Sequence, residues 1–277
     1  MKKIILFGVL SMILSLGFVL AEKPNFTNAG VVPSNNYASV KIPENAVEVS
    51  PGVFYVGSVV DNGDIIEGYA FIHYKDKKGN AKPPWAGGGD ATTSCYTFLA
   101  SGARWKVTEP YYINPTNLQG LSEDFIVSSA LEGDNEWDKQ VTFDIFGNPM
   151  INYLASYNNG NLDGVNTLSF GSIADPGVIG VTTVWGIFSG NPKNRKLVEW
   201  DMLLDQHDFQ WGDATLNASK MDLQNIITHE LGHSAGMGDL YSGSCSEETM
   251  YGYATEGEIK KRNLNYGDIA GIKKLYS

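Results

Sequence analysis

The sequence predicts an α+β fold, and three observations carry that expectation. Short apolar runs rich in Val, Ile, Tyr and Phe recur through the middle of the chain, the spacing turns helical after residue 219, and a second helical pattern closes the chain. With 277 residues, 43% hydrophobic and 18% charged, the chain can fill one main domain and a short extra segment, and it lacks the composition of a disordered or fibrous protein.

Met1-Lys2-Lys3 precedes an apolar run from Ile4 to Leu20 that ends at Ala21, before the polar Glu22-Lys23-Pro24. Val19 and Ala21 sit where a signal peptidase accepts small residues, so residues 1–21 read as a removed export signal rather than a membrane anchor. The mature protein is then expected to be secreted and extracellular, with no membrane attachment. Losing Lys2 and Lys3 takes the formal charge from -11 to -13. Such acidity argues against nucleic acid or an anionic membrane as partner, since both reward clustered Lys and Arg. It is compatible with a structural calcium ion.

Residues 22–50 are mixed, rich in Pro, Asn and Ser, and carry the sequon Asn25-Phe26-Thr27. Val53-Phe54-Tyr55-Val56 and the run from Ile65 to His73 flank Asp61-Asn62-Gly63, which predicts a β-hairpin. His73 is expected at its surface. The polar run 75–80 and then Pro83-Pro84-Trp85-Ala86-Gly87-Gly88-Gly89 form the clearest linker, placing a boundary near residue 90. Beyond it, strands are expected at Trp105–Val107, Tyr111–Asn114, Val141–Phe146, Thr167–Phe170, Val178–Trp185 and Leu197–Leu204. Ser122 is placed to cap a helix that ends near Trp137. Leu223, Ile226, Ile227, Leu231 and Ala235 share one face of a helix with Asp222 as N-cap and Gly236 as stop, and a last helix is expected from Asp268.

The chemistry lies in His229-Glu230-Leu231-Gly232-His233-Ser234-Ala235-Gly236-Met237-Gly238-Asp239. Histidines four apart on a helix lie on one face, as two nitrogens must to reach one zinc ion. Glu230 sits about 100° around the helix, too far to be a third ligand but placed to act on water at the metal. Gly236 can take positive φ and reverse the chain, which returns Asp239 to the metal.

This HExxHxxGxxD pattern, followed by Glu248-Thr249-Met250-Tyr251-Gly252 and by the stretch from Tyr266 to Tyr276, resembles a matrixin-type metzincin. Arg104-Trp105-Lys106, Tyr112-Ile113-Asn114, Trp137-Asp138 and Val198-Glu199-Trp200-Asp201 extend the resemblance to about residues 104–277. It implies a zincin fold with a twisted mixed sheet, an active-site helix, a Met-turn at Met250 and a C-terminal helix. It further implies a zinc-dependent endopeptidase acting on protein or peptide substrates, with one catalytic zinc on His229, His233 and Asp239 and Glu230 as general base. The substrate would lie extended along a strand resembled here by residues 177–183. Two departures stand out: Asp239 replaces the usual third histidine, as in the snapalysin-like branch, and Gly252 replaces the usual proline. Residues 91–277 would be the catalytic domain and residues 22–90 either a propeptide or an accessory segment.

Cys95 and Cys245 are the two cysteines, and in an exported chain they are expected to pair. The resemblance offers another role, a propeptide cysteine at Cys95 that occupies the zinc, but that would strand Cys245 as a free thiol. Asp205-Gln206-His207-Asp208 reads as a polar loop before a second metal site, and Tyr253 as a packing residue before an oxyanion donor. Two rivals remain: a zinc-binding module of the same fold without turnover, and a zincin using Glu256 or Glu258 as third ligand.

Overall fold

A computed structural model describes residues 46–75 and 94–277; the expected export signal, the sequon and the expected linker near residue 90 lie outside the described residues. The chain opens with β1 (Val47–Ser50), β2 (Val53–Asp61) and β3 (Asp64–Lys75). Asn62 and Gly63 take φ of 50° and 90°, the left-handed pair that a two-residue turn between twisted strands requires.

Then follow β4 (Tyr112–Ile113), α1 (Glu123–Asp138), β5 (Met150–Ile151), β6 (Thr167–Gly171), β7 (Val178–Ile187) and β8 (Lys196–Asp205). Two short strands, β9 (Trp211–Gly212) and β10 (Met221–Asp222), pair with each other and lead into α2 (Leu223–Ser234). The chain ends with β11 (Tyr253–Ala254) and α3 (Tyr266–Tyr276).

One mixed sheet runs in the order β1-β2-β3-β7-β8-β6-β4-β5, with β11 on β3. The half built from β8, β6, β4 and β5 is parallel; β7 is antiparallel to β8, and β3 is antiparallel to β7. The N-terminal hairpin therefore covers the flank of β7 away from β8. Residues on β3 alternate between faces as strand geometry demands: Phe71 joins the core beneath the sheet, while Ala70 and Ile72 join a smaller apolar cluster on the other face with Tyr157, Val181 and Leu203.

α1 and α2 pack closely under the sheet. A Cβ on Gly133 would come within 2.9 Å of Leu231 Cδ1, and Trp137 Nε1 donates to the Thr228 carbonyl at 2.8 Å. The helix caps follow the sequence: Ser122 Oγ accepts from Phe125 N–H, and Asp222 accepts from Asn225 N–H. Arg262 grips the Asp222 carboxylate in a two-pronged pair that anchors the start of α2 to the C-terminal region. α3 begins two residues before the expected Asp268, because Asn265 is its cap and Asp268 completes a capping box.

Two expected strands are absent. Trp105 is held by its indole, which donates to the Ser234 carbonyl, and Ile145 and Phe146 give their N–H groups to Asp138 Oδ1 instead of to a neighbouring strand. Among the described residues, no helix is long and apolar enough to cross a membrane.

Candidate functional site

α2 presents His229 and His233 one turn apart, and it stops where Gly236 takes φ of 98°. A side chain there would also meet the Ala103 carbonyl at 2.8 Å, so glycine is required on both counts. The chain then turns back: Met237 N–H donates to the Gly232 carbonyl, and Leu240 N–H donates to the Met250 carbonyl. This return brings Asp239 Oδ1 to 3.3 Å from His229 Nε2 and 3.5 Å from His233 Nε2. The ligand-type atoms of His229, His233 and Asp239 all lie within 4.8 Å of one another.

The orientation of both rings is fixed from behind. His229 Nδ1 faces the Thr249 carbonyl at 2.7 Å and His233 Nδ1 faces the Met237 carbonyl at 3.1 Å. A carbonyl only accepts, so each Nδ1 carries the hydrogen and each Nε2 directs its lone pair at Asp239. His229 Nε2 and Asp239 Oδ1 are buried without a hydrogen-bond partner, a costly state for two polar atoms in a core unless an ion lies between them. Two neutral imidazoles and a carboxylate form a donor set that fits zinc. Burial, reinforced by the Lys261 charge, holds His229 neutral by lowering it to about 3. In the metal-free centre burial alone would raise Asp239, but the adjoining His233 and His229 outweigh it and hold the carboxyl below its usual range.

Met250 lies directly beneath. A Cβ on Gly232 would fall 2.2 Å from Met250 Sδ and 2.6 Å from Trp137 Cζ2, so the glycine inside the helix is where sulfur and indole pack. The turn is clamped by α3: Asp268 Oδ2 accepts from Thr249 N–H and Oδ1 from Met250 N–H.

Glu230 is fully buried and both of its oxygens are held. Thr182 Oγ1 on β7 donates to Oε2 at 2.5 Å, and His73 Nδ1 on β3 donates to Oε1 at 3.1 Å. Lys261 Nζ in turn donates to His73 Nε2 at 3.3 Å and to the Tyr251 carbonyl. Burial pushes Glu230 up to about 7 and pulls Lys261 down to about 8.

The expectation that His73 is a surface residue is wrong. It is 1% exposed, because β3 is an interior strand of the sheet, and its ring lies 4.0 Å from that of His229. Phe71, two residues earlier on the same face, stacks on His233 at 4.1 Å. β3 thus runs over the candidate metal centre, between β7 and β11.

The structure also joins the two sequence departures. Tyr241 OH lies 3.2 Å from Asp239 Oδ2 and 3.0 Å from the Pro51 carbonyl, while a Cβ on Gly252 would fall 2.4 Å from the Tyr241 ring. The missing side chain at 252 is the space in which Tyr241 stands to hold the aspartate.

Cys95 and Cys245 form a disulfide across 150 residues, so the Cys95 sulfur is committed there. Glu256 pairs with Lys75 at 2.6 Å, Glu258 lies near Asn225 and Lys260, and neither joins the histidines. Asp205 is buried, contrary to a solvated loop, and accepts from Ile173 and Asp208 N–H; exposed His207 bonds Asp208. Tyr253 packs its ring against Tyr241 and Tyr251.

Reasoning from sequence missed His73, Tyr241 and Lys261. A signal for the first existed: Tyr69-Ala70-Phe71-Ile72 is apolar at every position, which suits a strand buried on both faces better than an exposed hairpin. Lys261 sits in Lys260-Lys261-Arg262, which reads as a solvated charge run and gave no such signal.

A family model described as Matrixin matches residues 117–277, more than half of the chain. No curated protein matches it in sequence.

Proposed function

The chain belongs to the matrixin family of zinc metallopeptidases, with the family's α+β metzincin fold, and from that premise we propose that it is an exported endopeptidase made as a latent precursor. His229, His233 and Asp239 hold the catalytic zinc, and Glu230 is the general base. The observation that carries this is the convergence of three buried ligand atoms within 4.8 Å, two of them without partners, beside a carboxylate on the same helix. Zinc bound there supplies Lewis acidity, which makes water a better nucleophile and polarises a peptide carbonyl.

The remaining steps belong to the protein. Glu230 takes the proton from the attacking water and delivers it to the leaving amine. Burial under β3 holds that carboxyl up to about 7 in the full chain, and clearing β3 frees it to take and give the proton. Thr182 fixes one oxygen of Glu230, so the other is the one turned to the reaction. A substrate would take the course of β3, bonded through its main chain to β7 on one side and to β11 on the other.

Residues 22–90 act as the propeptide and residues 91–277 as the catalytic domain. With β3 in place Glu230 and His229 are fully buried, His73 ties up the base, and no extended peptide fits between β7 and β11. Export is supported by the charged and apolar N-terminus and by the disulfide, which requires an oxidising compartment to persist.

The test is hydrolysis of an unstructured protein by the zinc-loaded chain cut between residues 75 and 94, beside Glu230→Gln with zinc measured in both. Turnover by the first alone, with equal zinc, is the expected outcome. Equal turnover by both would remove Glu230 as the base, and none by either would favour a zinc-binding module.

A further inference from the structure

β3 marks a track through the site. Its backbone is antiparallel to β7, with His73 opposite Gly180, and parallel to β11, with Tyr74 opposite Tyr253. At position 73 the side chain leaves the track and enters the protein, with Glu230 on one side of the ring, Lys261 on the other and His229 alongside. Lys261 is fully buried and makes no ion pair among the described residues; its ammonium gives hydrogen bonds only to the Tyr251 carbonyl and to His73. Glu258, Asp239 and Glu230 act on this cation only at longer range, and a buried ammonium whose hydrogen bonds go to two neutral acceptors is uncommon, because a charge out of water is costly unless well solvated by its surroundings. Here one of the two acceptors is borne by the segment that a substrate must displace.

Resting on the peptidase reading, we propose that Lys261 is a specificity-determining residue. The pocket that His73 fills in the full chain receives one side chain of the substrate, and it selects a neutral side chain with an acceptor at its tip, glutamine or histidine, over an aliphatic one. An aliphatic side chain leaves the Lys261 ammonium facing a dry pocket with a lost bond. A glutamate gains at Lys261 but sets a second carboxylate against Glu230, whose oxygen lies 3.1 Å from the ring that now fills the space. The amide of glutamine stands as many bonds from Cα as the distal imidazole nitrogen does. It can accept from Lys261, as that nitrogen does, and leave Glu230 to the reaction.

The full chain itself offers the test, because residue 73 is the present occupant. Thermal unfolding is measured for wild type, His73→Gln and His73→Leu, each also in a Lys261→Met background. In the Lys261 chain the glutamine variant should unfold several degrees above the leucine variant, where about 2–4 °C corresponds to 1 kcal/mol for a domain of this size. With Met at 261 the order should reverse. Cleavage of peptides differing in Gln or Leu at the matching position by the cut chain should show the same reversal, with a preference of about ten-fold or more in kcat/KM for Gln by the unmutated pocket. A leucine variant as stable as the glutamine variant in the Lys261 chain overturns the proposal, and that comparison stands even if Lys261→Met does not fold. The unfolding series needs no turnover, so a chain that shows the reversal but cleaves nothing counts for the pocket and against the peptidase reading.

Discussion

The stretch from Asp222 to Met250 and the strand β3 meet at the same three side chains by opposite routes. In the first, the contacts that orient the ligands are short in sequence: Asp222 caps Asn225, Met237 steers His233 four residues away, and Thr249 steers His229 across 20 residues. In the second, His73 reaches Glu230 across 157 residues and Lys261 across 188. Local spacing declares the first, whereas the second exists only because a sheet has chosen its strand order. A site can therefore be written in one short motif while its closure is written elsewhere.

The sharpest way to break this contrast is at Asp239. If the local stretch alone builds the centre, Asp239→Ala loses zinc and at least about a thousand-fold in hydrolysis, since a site that keeps one position for water would need all three protein ligands. Retention of zinc, measured by metal analysis after dialysis, would favour a third ligand outside the stretch, such as Glu256 or Glu258. Next in size is Gly232→Ala. Propensity alone favours alanine in a helix by about 1 kcal/mol, yet the new methyl meets Met250 and Trp137 and should cost about 2–3 kcal/mol net in denaturant unfolding. A stabilised variant would mean that the Met-turn yields more readily than the packing implies.

Tyr241 adds a contact from the turn before β2, through Pro51, to Asp239 in the loop after α2. Tyr241→Phe removes only the hydroxyl and is expected to weaken zinc about ten-fold in a competition titration, the usual scale for a group that orients a ligand. No change would assign the tyrosine to packing. The smallest effect belongs to Lys75, whose pair with Glu256 ties the end of β3 to the segment after β11 at the surface. Lys75→Ala should shift stability by under about 1 kcal/mol, and a larger loss would mean that β3 is held from its end rather than by Phe71 and His73.

The same contrast explains what could be read in advance. Asp222, Gly236, Ser122 and the Asn62-Gly63 turn act within a few residues of themselves, so their identities disclose their roles, and the HExxHxxGxxD spacing follows from helix geometry. Strand pairing is not local, and the hairpin was legible as a hairpin but not as the neighbour of β7. Lys261 and Tyr241 are ordinary residues in ordinary surroundings of sequence; only the fold places one beneath His73 and the other beside Asp239. The pairing of Cys95 with Cys245 follows from their number, while its location between the first described residues after the linker and the loop that leads to Met250 does not.

The proposed occupation of the substrate's course by β3 is tested most directly by following hydrolysis of an unstructured protein by intact zinc-loaded chain and by the same preparation cut once between residues 75 and 94. The cut should raise the initial rate by orders of magnitude while the zinc content stays constant. Equal rates before and after the cut, at equal zinc, would contradict it and make the hairpin a permanent part of an active enzyme.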